Sequence, residues 1–133
     1  MKYRAPITFG LFVLFVGVFV SGAFDLYHRI PHIDKVYHAL GGVALGWFFF
    51  VFFFNEGTSL SKFKQTLIVV SATCLVAVLW EYVERLSTLY APVYAPWFYH
   101  WIKGGDLNDT LLDILAGMCG SLVFVCARFL KGK

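Results

Sequence analysis

The chain has 133 residues, of which 59% are hydrophobic, 20% aromatic and only 14% charged. Soluble globular domains carry roughly a quarter charged residues, so this composition excludes an ordinary soluble domain and indicates an integral membrane protein. The formal net charge of +3 is spread over loops and tails rather than gathered in one patch, which argues against a nucleic-acid partner.

Four apolar runs are long enough, or nearly so, to cross about 30 Å of hydrocarbon as helices of about 20 residues. They lie near residues 7–24, 36–54, 66–83 and 111–129. The runs are continuous rather than alternating, as membrane helices are. We therefore predict an all-α membrane protein, a four-transmembrane-helix bundle that forms a single integral membrane domain over residues 1–133.

Basic residues are distributed unequally between the two sides of these runs. Seven lie on the side that contains both termini: Lys2, Arg4, Lys62, Lys64, Arg128, Lys131 and Lys133. Four lie on the other side: Arg29, Lys35, Arg85 and Lys103. By the positive-inside rule both termini are cytoplasmic. We expect a multi-pass protein of the bacterial inner (cytoplasmic) membrane whose opposite end faces the periplasm or exterior.

The first run has features of a secretory signal, with a basic start, an apolar stretch and the small residues Ser21, Gly22 and Ala23. Because the run is close to spanning length, we expect an uncleaved first helix. Gly17, Ser21 and Gly22 would give this helix a small face for close packing.

The second run begins with Asp34 and His38, four residues apart and therefore on one helix face. At about 1.5 Å per residue, His38 lies about 6 Å deeper in the membrane than Asp34. An Asp one turn away can orient one imidazole nitrogen while the other binds a metal or a proton, although His38 is also compatible with a purely structural role. Gly42 and Gly46 then predict close approach of another helix.

The third run ends in Glu81 and Glu84, three residues apart and roughly on the same face. Glu81 is one turn deeper and is flanked by Trp80 and Tyr82, so a functional role is favoured for it. For Glu84 an ordinary surface pair with Arg85 is an equal alternative.

Residues 87–102 contain several Tyr and Trp residues and two prolines. The segment is too short and too interrupted by proline to span the membrane. We expect it to lie along the membrane surface, either as a lid over a site or as a simple aromatic anchor.

The fourth run begins with Asp109 and Asp113, which share a helix face. An ionised pair there would repel unless it is protonated, hydrated or bridged by a cation, and a carboxylate in a membrane helix is by default a functional-site hypothesis. Asn108 or Asp109 is expected to cap the helix. Ala116 and Gly120 predict a narrow face through which the second and fourth helices touch.

Together these patterns predict one site, on the side away from the termini, to which three helices contribute. The expected metal ligands and catalytic groups are Asp34, His38, Glu81, Asp109 and Asp113, with Glu84 as a further catalytic group. The expected substrate-binding residues are Tyr82, Arg85, Trp101 and Lys103. Oxygen-rich ligation with one His favours Mg²⁺, Mn²⁺ or Ca²⁺ as the cofactor, with Zn²⁺ or iron as alternatives.

The motif Asp34-Lys35-x-x-His38, followed by Glu81 and then Asp109-x-x-x-Asp113, resembles the VanZ-like family and the related YjdF-type inner-membrane proteins. The resemblance covers about residues 30–125. It implies a small helical inner-membrane protein with acidic residues on its outer side. Members of the VanZ-like family are associated with glycopeptide (teicoplanin) resistance.

Two functions are compatible with this pattern. The first is a metal-dependent hydrolase or transferase that acts on a phospholipid or polyprenyl-phosphate headgroup at the outer leaflet. The alternative is a non-catalytic, VanZ-like envelope or antibiotic-resistance accessory protein whose acids bind a cation or a headgroup. An ion pathway is disfavoured, because the inner halves of the runs contain few polar residues beyond hydroxyls such as Ser71 and Thr73.

Overall fold

The computed structural model describes residues 2–54, 58–99, 101–102 and 104–131. Four long helices account for most of them, and each is long and apolar enough to cross a membrane. We call them the first to fourth helices: Arg4–Phe24, Ile33–Phe53, Lys62–Tyr94 and Leu107–Lys131. No strand occurs in the ranges described. The predicted all-α, four-helix architecture is therefore confirmed.

The second and fourth helices make the most extensive contact in the bundle. Glycine makes this contact possible, because Gly42 lies directly against the backbone carbonyl of Gly117, and Gly120 against that of Ala39. A side chain at either glycine would overlap backbone atoms that cannot move aside. The prediction that small residues bring these two helices together is confirmed.

The first helix packs chiefly on the second helix. It contains a π-helical segment, Val16–Val20, and the hydroxyl of Tyr27 donates to the carbonyl of Gly17 within it, at 2.6 Å. Burial, and after it the negative charge of Asp34, raises the pKa of Tyr27 above its ordinary value, so this hydroxyl stays protonated and remains a donor. Ser21 Oγ donates a hydrogen bond to the Tyr37 hydroxyl at 2.8 Å, which links the first helix to the second.

The third helix is much longer than predicted, because it continues past residue 83 to Tyr94. Its 33 residues extend about 50 Å at about 1.5 Å per residue, well beyond about 30 Å of hydrocarbon. The extension is held by the chain that follows: Ser87 Oγ donates to the carbonyl of Ile102, and the Gly104 N–H donates to Thr88 Oγ1 at 2.9 Å. Pro92 is tolerated because it lies in the last turn, where few helical hydrogen bonds remain to be lost.

The expectation that residues 87–102 lie as one segment along the membrane surface is therefore wrong for its first half. Residues 87–94 are helical, and after Ala95 a single short helix, Pro96–Tyr99, turns the chain back. The other boundaries of the four helices lie within about one helical turn of those expected from the sequence.

The two ends of the bundle differ in character. At one end an aromatic cluster surrounds the fully buried Val69 and Val125. Two cations lie over rings of this cluster, Arg128 at 5.8 Å from the Phe50 centroid and Lys62 at 5.4 Å from the Phe129 centroid. We call this the basic end. The opposite end contains the carboxylates that the sequence singled out, and we call it the acidic end.

Candidate functional site

Three helices bring ionisable side chains together at the acidic end. These side chains come from the first two turns of the second helix, from the middle of the third helix and from the N-terminal turns of the fourth helix. The resulting ionisable cluster consists of Asp34, Lys35, His38, Glu81, Glu84, Asp109 and Asp113. The predicted convergence of three helices on one site is confirmed, although the third helix contributes its middle and not its end. The roles of these residues remain proposals.

The ammonium group of Lys35 joins the second helix to the fourth. It forms ion pairs with Asp109 and, at 2.8 Å, with Asp113 Oδ1, and it lies 3.6 Å from Asp34 Oδ2. The Asp113 side chain is only 2% exposed, so its charge is balanced inside the protein. The amino group therefore occupies the position between these carboxylates at which a bridging metal ion was expected.

Sequence reasoning did not place Lys35 in the site, although a signal was present. Lys35 precedes His38 by three residues, a spacing that puts the two side chains on one helix face. In the sequence, Lys35 contributed only to the predicted membrane orientation and to the motif Asp34-Lys35-x-x-His38.

The imidazole of His38 faces carboxylates through both of its nitrogens. Nε2 lies 3.6 Å from Asp34 Oδ1 and 3.9 Å from Asp113 Oδ1, and Nδ1 lies 3.8 Å from Glu81 Oε1. These separations are too long for direct hydrogen bonds. They are compatible with an ion bound to both atoms, because two ligands about 2.1 Å from one metal ion lie about 3–4 Å apart.

The two glutamates of the third helix have different surroundings. The Glu81 side chain is 5% exposed, and within the part of the chain that the structure describes its Oε1 atom has no hydrogen-bond partner. Glu84 Oε1 accepts a hydrogen bond from Trp80 Nε1 at 2.7 Å. Glu84 thus turns toward Trp80, while Arg85, its expected surface partner, is exposed.

Two groups within the cluster have the spacing of metal ligands. They are Asp34, His38 and Asp113 on one side of the imidazole, and His38, Glu81 and Glu84 on the other, with ligand atoms in each group within 4.8 Å of one another. Lys35 already neutralises the first group. Asp109, a predicted ligand, belongs to neither group and pairs with Lys35 instead.

The fourth helix is capped by a different residue from the two expected. Asp106 Oδ1 accepts the Asp109 N–H at 2.9 Å, as an N-terminal cap does, whereas Asn108 or Asp109 had been predicted in that role. Because Asp106 caps the helix, the carboxylate of Asp109 is available to Lys35.

A cavity of about 720 Å³ lies between the first helix and the second and third helices, and it reaches the ionisable cluster. Its polar end is lined by five members of the cluster: Asp34, Lys35, His38, Glu84 and Asp109. Glu81 and Asp113 are not among the lining residues and lie behind His38. His38 therefore connects the cavity with Glu81, and both His38 and Lys35 connect it with Asp113.

The four predicted substrate-binding residues have different locations. Trp101 lines the cavity, with its ring against Gly22 and 5.7 Å from the ring of Phe19. Tyr82 is 62% exposed and Arg85 is exposed, and neither lines the cavity. Lys103 lies outside the described residues.

Four spanning helices that enclose buried carboxylates and an imidazole define a small multi-pass membrane protein with an ionisable site inside its bundle. The chain belongs to the family of predicted membrane proteins designated DUF2238, whose family model matches residues 2–132. No curated protein and no solved structure matches the chain.

Proposed function

We propose that this protein binds a divalent cation at the acidic end of the bundle and, through it, the phosphate headgroup of a membrane lipid. The observation that supports the proposal is the carboxylate of Glu81, which is nearly fully buried, has an Oε1 atom without a hydrogen-bond partner among the described residues, and lies 3.8 Å from His38 Nδ1. Thr110 forms a hydrogen bond with this carboxylate, but a buried carboxylate oxygen left without a partner is still costly, and a bound cation removes that cost.

The proposed ligands are His38, Glu81 and Glu84, because the other candidate group is already neutralised by Lys35. In this arrangement His38 binds the ion through Nδ1, and its Nε2 faces Asp34 at 3.6 Å. A carboxylate behind a ligating imidazole fixes the ring orientation and makes the ligand more basic. Asp34 would act on the ion in this way, through His38, once metal binding brings its carboxylate within hydrogen-bond distance of Nε2.

Two carboxylates and one imidazole form a mainly oxygen-donor ligand set. Such a set favours Mg²⁺, Mn²⁺ or Ca²⁺, while the imidazole also suits Zn²⁺ or iron. Three protein ligands leave coordination positions for a water molecule and a phosphate oxygen. Because Glu84 lines the cavity, these positions would face the cavity rather than the protein interior.

In its enzymatic form the proposal is a metal-dependent lipid-phosphate or polyprenyl-phosphate hydrolase or transferase. The ion would polarise the phosphate and activate a bound water. The water oxygen would add to phosphorus as a carboxylate of the cluster takes its proton, and the bond from phosphorus to the ester oxygen would break as the carboxylate returns that proton to the leaving ester oxygen. By the positive-inside rule, this site would face the periplasm or exterior of a bacterial inner membrane.

The non-catalytic alternative is an envelope or antibiotic-resistance accessory protein, in line with the VanZ-like motif. It is favoured by Lys35, which forms ion pairs with Asp109 and Asp113 without any ligand. On this alternative, bacteria that produce the wild-type chain tolerate more teicoplanin than bacteria that produce Asp113→Asn, and the purified protein releases no phosphate from lipids. Metal-dependent phosphate release would instead support the enzyme.

Elemental analysis of detergent-purified protein tests the cation site. After incubation with Mg²⁺, Mn²⁺, Ca²⁺ or Zn²⁺ and desalting, the wild-type protein should retain about one ion per chain. Glu81→Gln and His38→Ala should lower metal affinity by about tenfold or more.

Asp25→Asn is the matched control, since Asp25 is an exposed acid at the same end and belongs to neither ligand group. It should retain the wild-type metal content. A wild-type protein that retains none of the four ions would overturn the proposal.

A further inference from the structure

We propose that the cavity binds one acyl chain of a membrane glycerophospholipid, which enters from the side of the bundle and places its phosphate at the ionisable cluster. The placement of the phosphate rests on the proposed cation site. The position of the acyl chain rests on the shape and lining of the cavity alone.

The depth of the cavity matches one leaflet of a bilayer. Along the second helix it extends from His38 to Phe48, and along the third from Glu84 to Thr73. At about 1.5 Å per residue these distances are about 15 Å and 16 Å, or half of about 30 Å of hydrocarbon. An acyl chain of one leaflet fills this depth, whereas a long polyprenyl chain exceeds it.

The lining suits a hydrocarbon chain. Below the cluster it consists of glycine and apolar side chains from three helices, among them Leu14, Leu45 and Val76. The hydroxyl of Thr73 is one polar group at this depth, and it has no hydrogen-bond partner in the described ranges. The volume of about 720 Å³ lies within the roughly 300–1,000 Å³ usual for ligand cavities.

The cavity is accessible from the lipid. Ile7 and Leu11 line it and are also 46% and 61% exposed, so its wall on the first helix is part of the protein surface. Among the described residues, the first helix packs on the second helix and makes no comparable contact with the third. A lipid chain can therefore enter between the first and third helices without leaving the bilayer.

The polar end completes the match to a phospholipid. The proposed cation would lie at this end, at Glu84, and its charge is complementary to a phosphate. Lys35 also lines this end, but its charge is already paired with Asp109 and Asp113. The apolar length, the lateral opening and the charged end together correspond to the parts of one glycerophospholipid.

Gly41 provides a way to block the cavity. It lies one turn below His38, lines the cavity, and has no atom within 4 Å of the position that a Cβ would take. A leucine there would enter the cavity without displacing backbone. Val76→Phe blocks the same cavity from the third helix and serves as a second, independent variant.

The test uses phosphatidylglycerol with a photoreactive diazirine in its acyl chain, mixed into phosphatidylcholine vesicles that contain the full chain. Mass spectrometry of the illuminated wild-type protein should find label on Leu45 and Val76. Gly41→Leu should lower label at Leu45 by about tenfold or more, and Val76→Phe should do the same. Label on Leu122 and Val123, which are exposed to the surrounding lipid, should not change in either variant.

Val36→Leu is the matched control on the second helix, because Val36 is 49% exposed and does not line the cavity. It should be labelled like the wild type. Equal labelling of Leu45 in the wild type and in both blocked variants would overturn the inference. So would loss of label to excess polyprenyl phosphate but not to excess unlabelled phosphatidylglycerol, because the occupant would then be a polyprenyl chain.

Metal analysis of the same samples separates the two proposals. Gly41→Leu should keep its metal and lose cavity label, and Glu81→Gln should lose metal and keep the label. Cavity label in a wild-type protein that binds no metal would reject the cation site and support the acyl-chain site. A wild-type protein that binds metal but shows no label in the cavity would support the cation site and reject the acyl-chain site.

Discussion

Lys35 illustrates how a single side chain changes the chemistry of this site. Its ammonium lies among three carboxylates, of which Asp113 is almost completely buried. Removal of one partner of a buried ion pair costs more free energy than replacement of both partners by apolar residues, because it leaves the other charge unpaired. Glu81 and Glu84 lie on the far side of His38, and among the described residues neither forms an ion pair with a lysine or arginine.

We predict that Lys35→Met lowers the free energy of unfolding by about 3 kcal/mol, since Asp113 would lose its partner. Asp113→Asn in the same chain should restore most of that loss, because an amide carries no charge to compensate. The measurement is unfolding in mixed detergent, followed by circular dichroism.

Lys64→Met is the control for this pair of variants, because Lys64 is exposed at the basic end. It should change the free energy of unfolding by no more than about 0.5 kcal/mol. Additive effects of Lys35→Met and Asp113→Asn would contradict the ion pair, since residues in direct contact should show coupling.

At the scale of the helices, the contact between the second and fourth helices is what positions the cluster. Gly42 against Gly117 and Gly120 against Ala39 bring the two backbones into direct contact. Lys35 can reach Asp109 and Asp113 only because the two helices are this close. The glycine pattern predicted the contact, but the register that aligns these side chains follows from the packing itself.

We predict that Gly42→Ala lowers the free energy of unfolding by about 1–3 kcal/mol, because the added Cβ overlaps the carbonyl of Gly117. The neighbouring substitution, Gly41→Ala, meets no atom within 4 Å and should be neutral or stabilising by up to about 1 kcal/mol. Both can be measured by unfolding in mixed detergent. Equal effects of the two substitutions would contradict the packing described here.

The third helix shows how contacts with a distant part of the chain override a local pattern. Prolines and aromatics after residue 87 predicted an irregular surface segment. Ile102 and Gly104 instead form hydrogen bonds with the hydroxyls of Ser87 and Thr88, which stabilises another two turns of helix. This return of the chain also brings Trp101 against the first helix and into the wall of the cavity.

For the whole molecule, the separation of charge between the two ends predicts the orientation in the membrane. The basic end carries Lys62 and Arg128 over aromatic rings, and the acidic end carries the ionisable cluster. Lysine and arginine remain preferentially on the cytoplasmic side. We therefore predict that the cluster and the polar end of the cavity face away from the cytoplasm.

Cysteine labelling in intact bacterial cells tests this orientation. In a chain whose three native cysteines are replaced by serine, a membrane-impermeant maleimide should label His28→Cys and should not label Ser59→Cys. Both positions are exposed, at opposite ends of the bundle. Labelling of Ser59→Cys before permeabilisation, with His28→Cys protected, would reverse the orientation and move the proposed site to the cytoplasmic side.

The sequence by itself determined the class of protein, the four spans and most of the acidic residues of the cluster. These follow from local properties, because hydrocarbon requires long apolar helices and makes every charge within them conspicuous. Tertiary structure decided which charges pair, since Lys35 and Asp113 are distant in sequence and meet only across the glycine contact. It also decided the cavity, because empty space between helices depends on how far each helix stands from its neighbours, and no local pattern of residues encodes that distance.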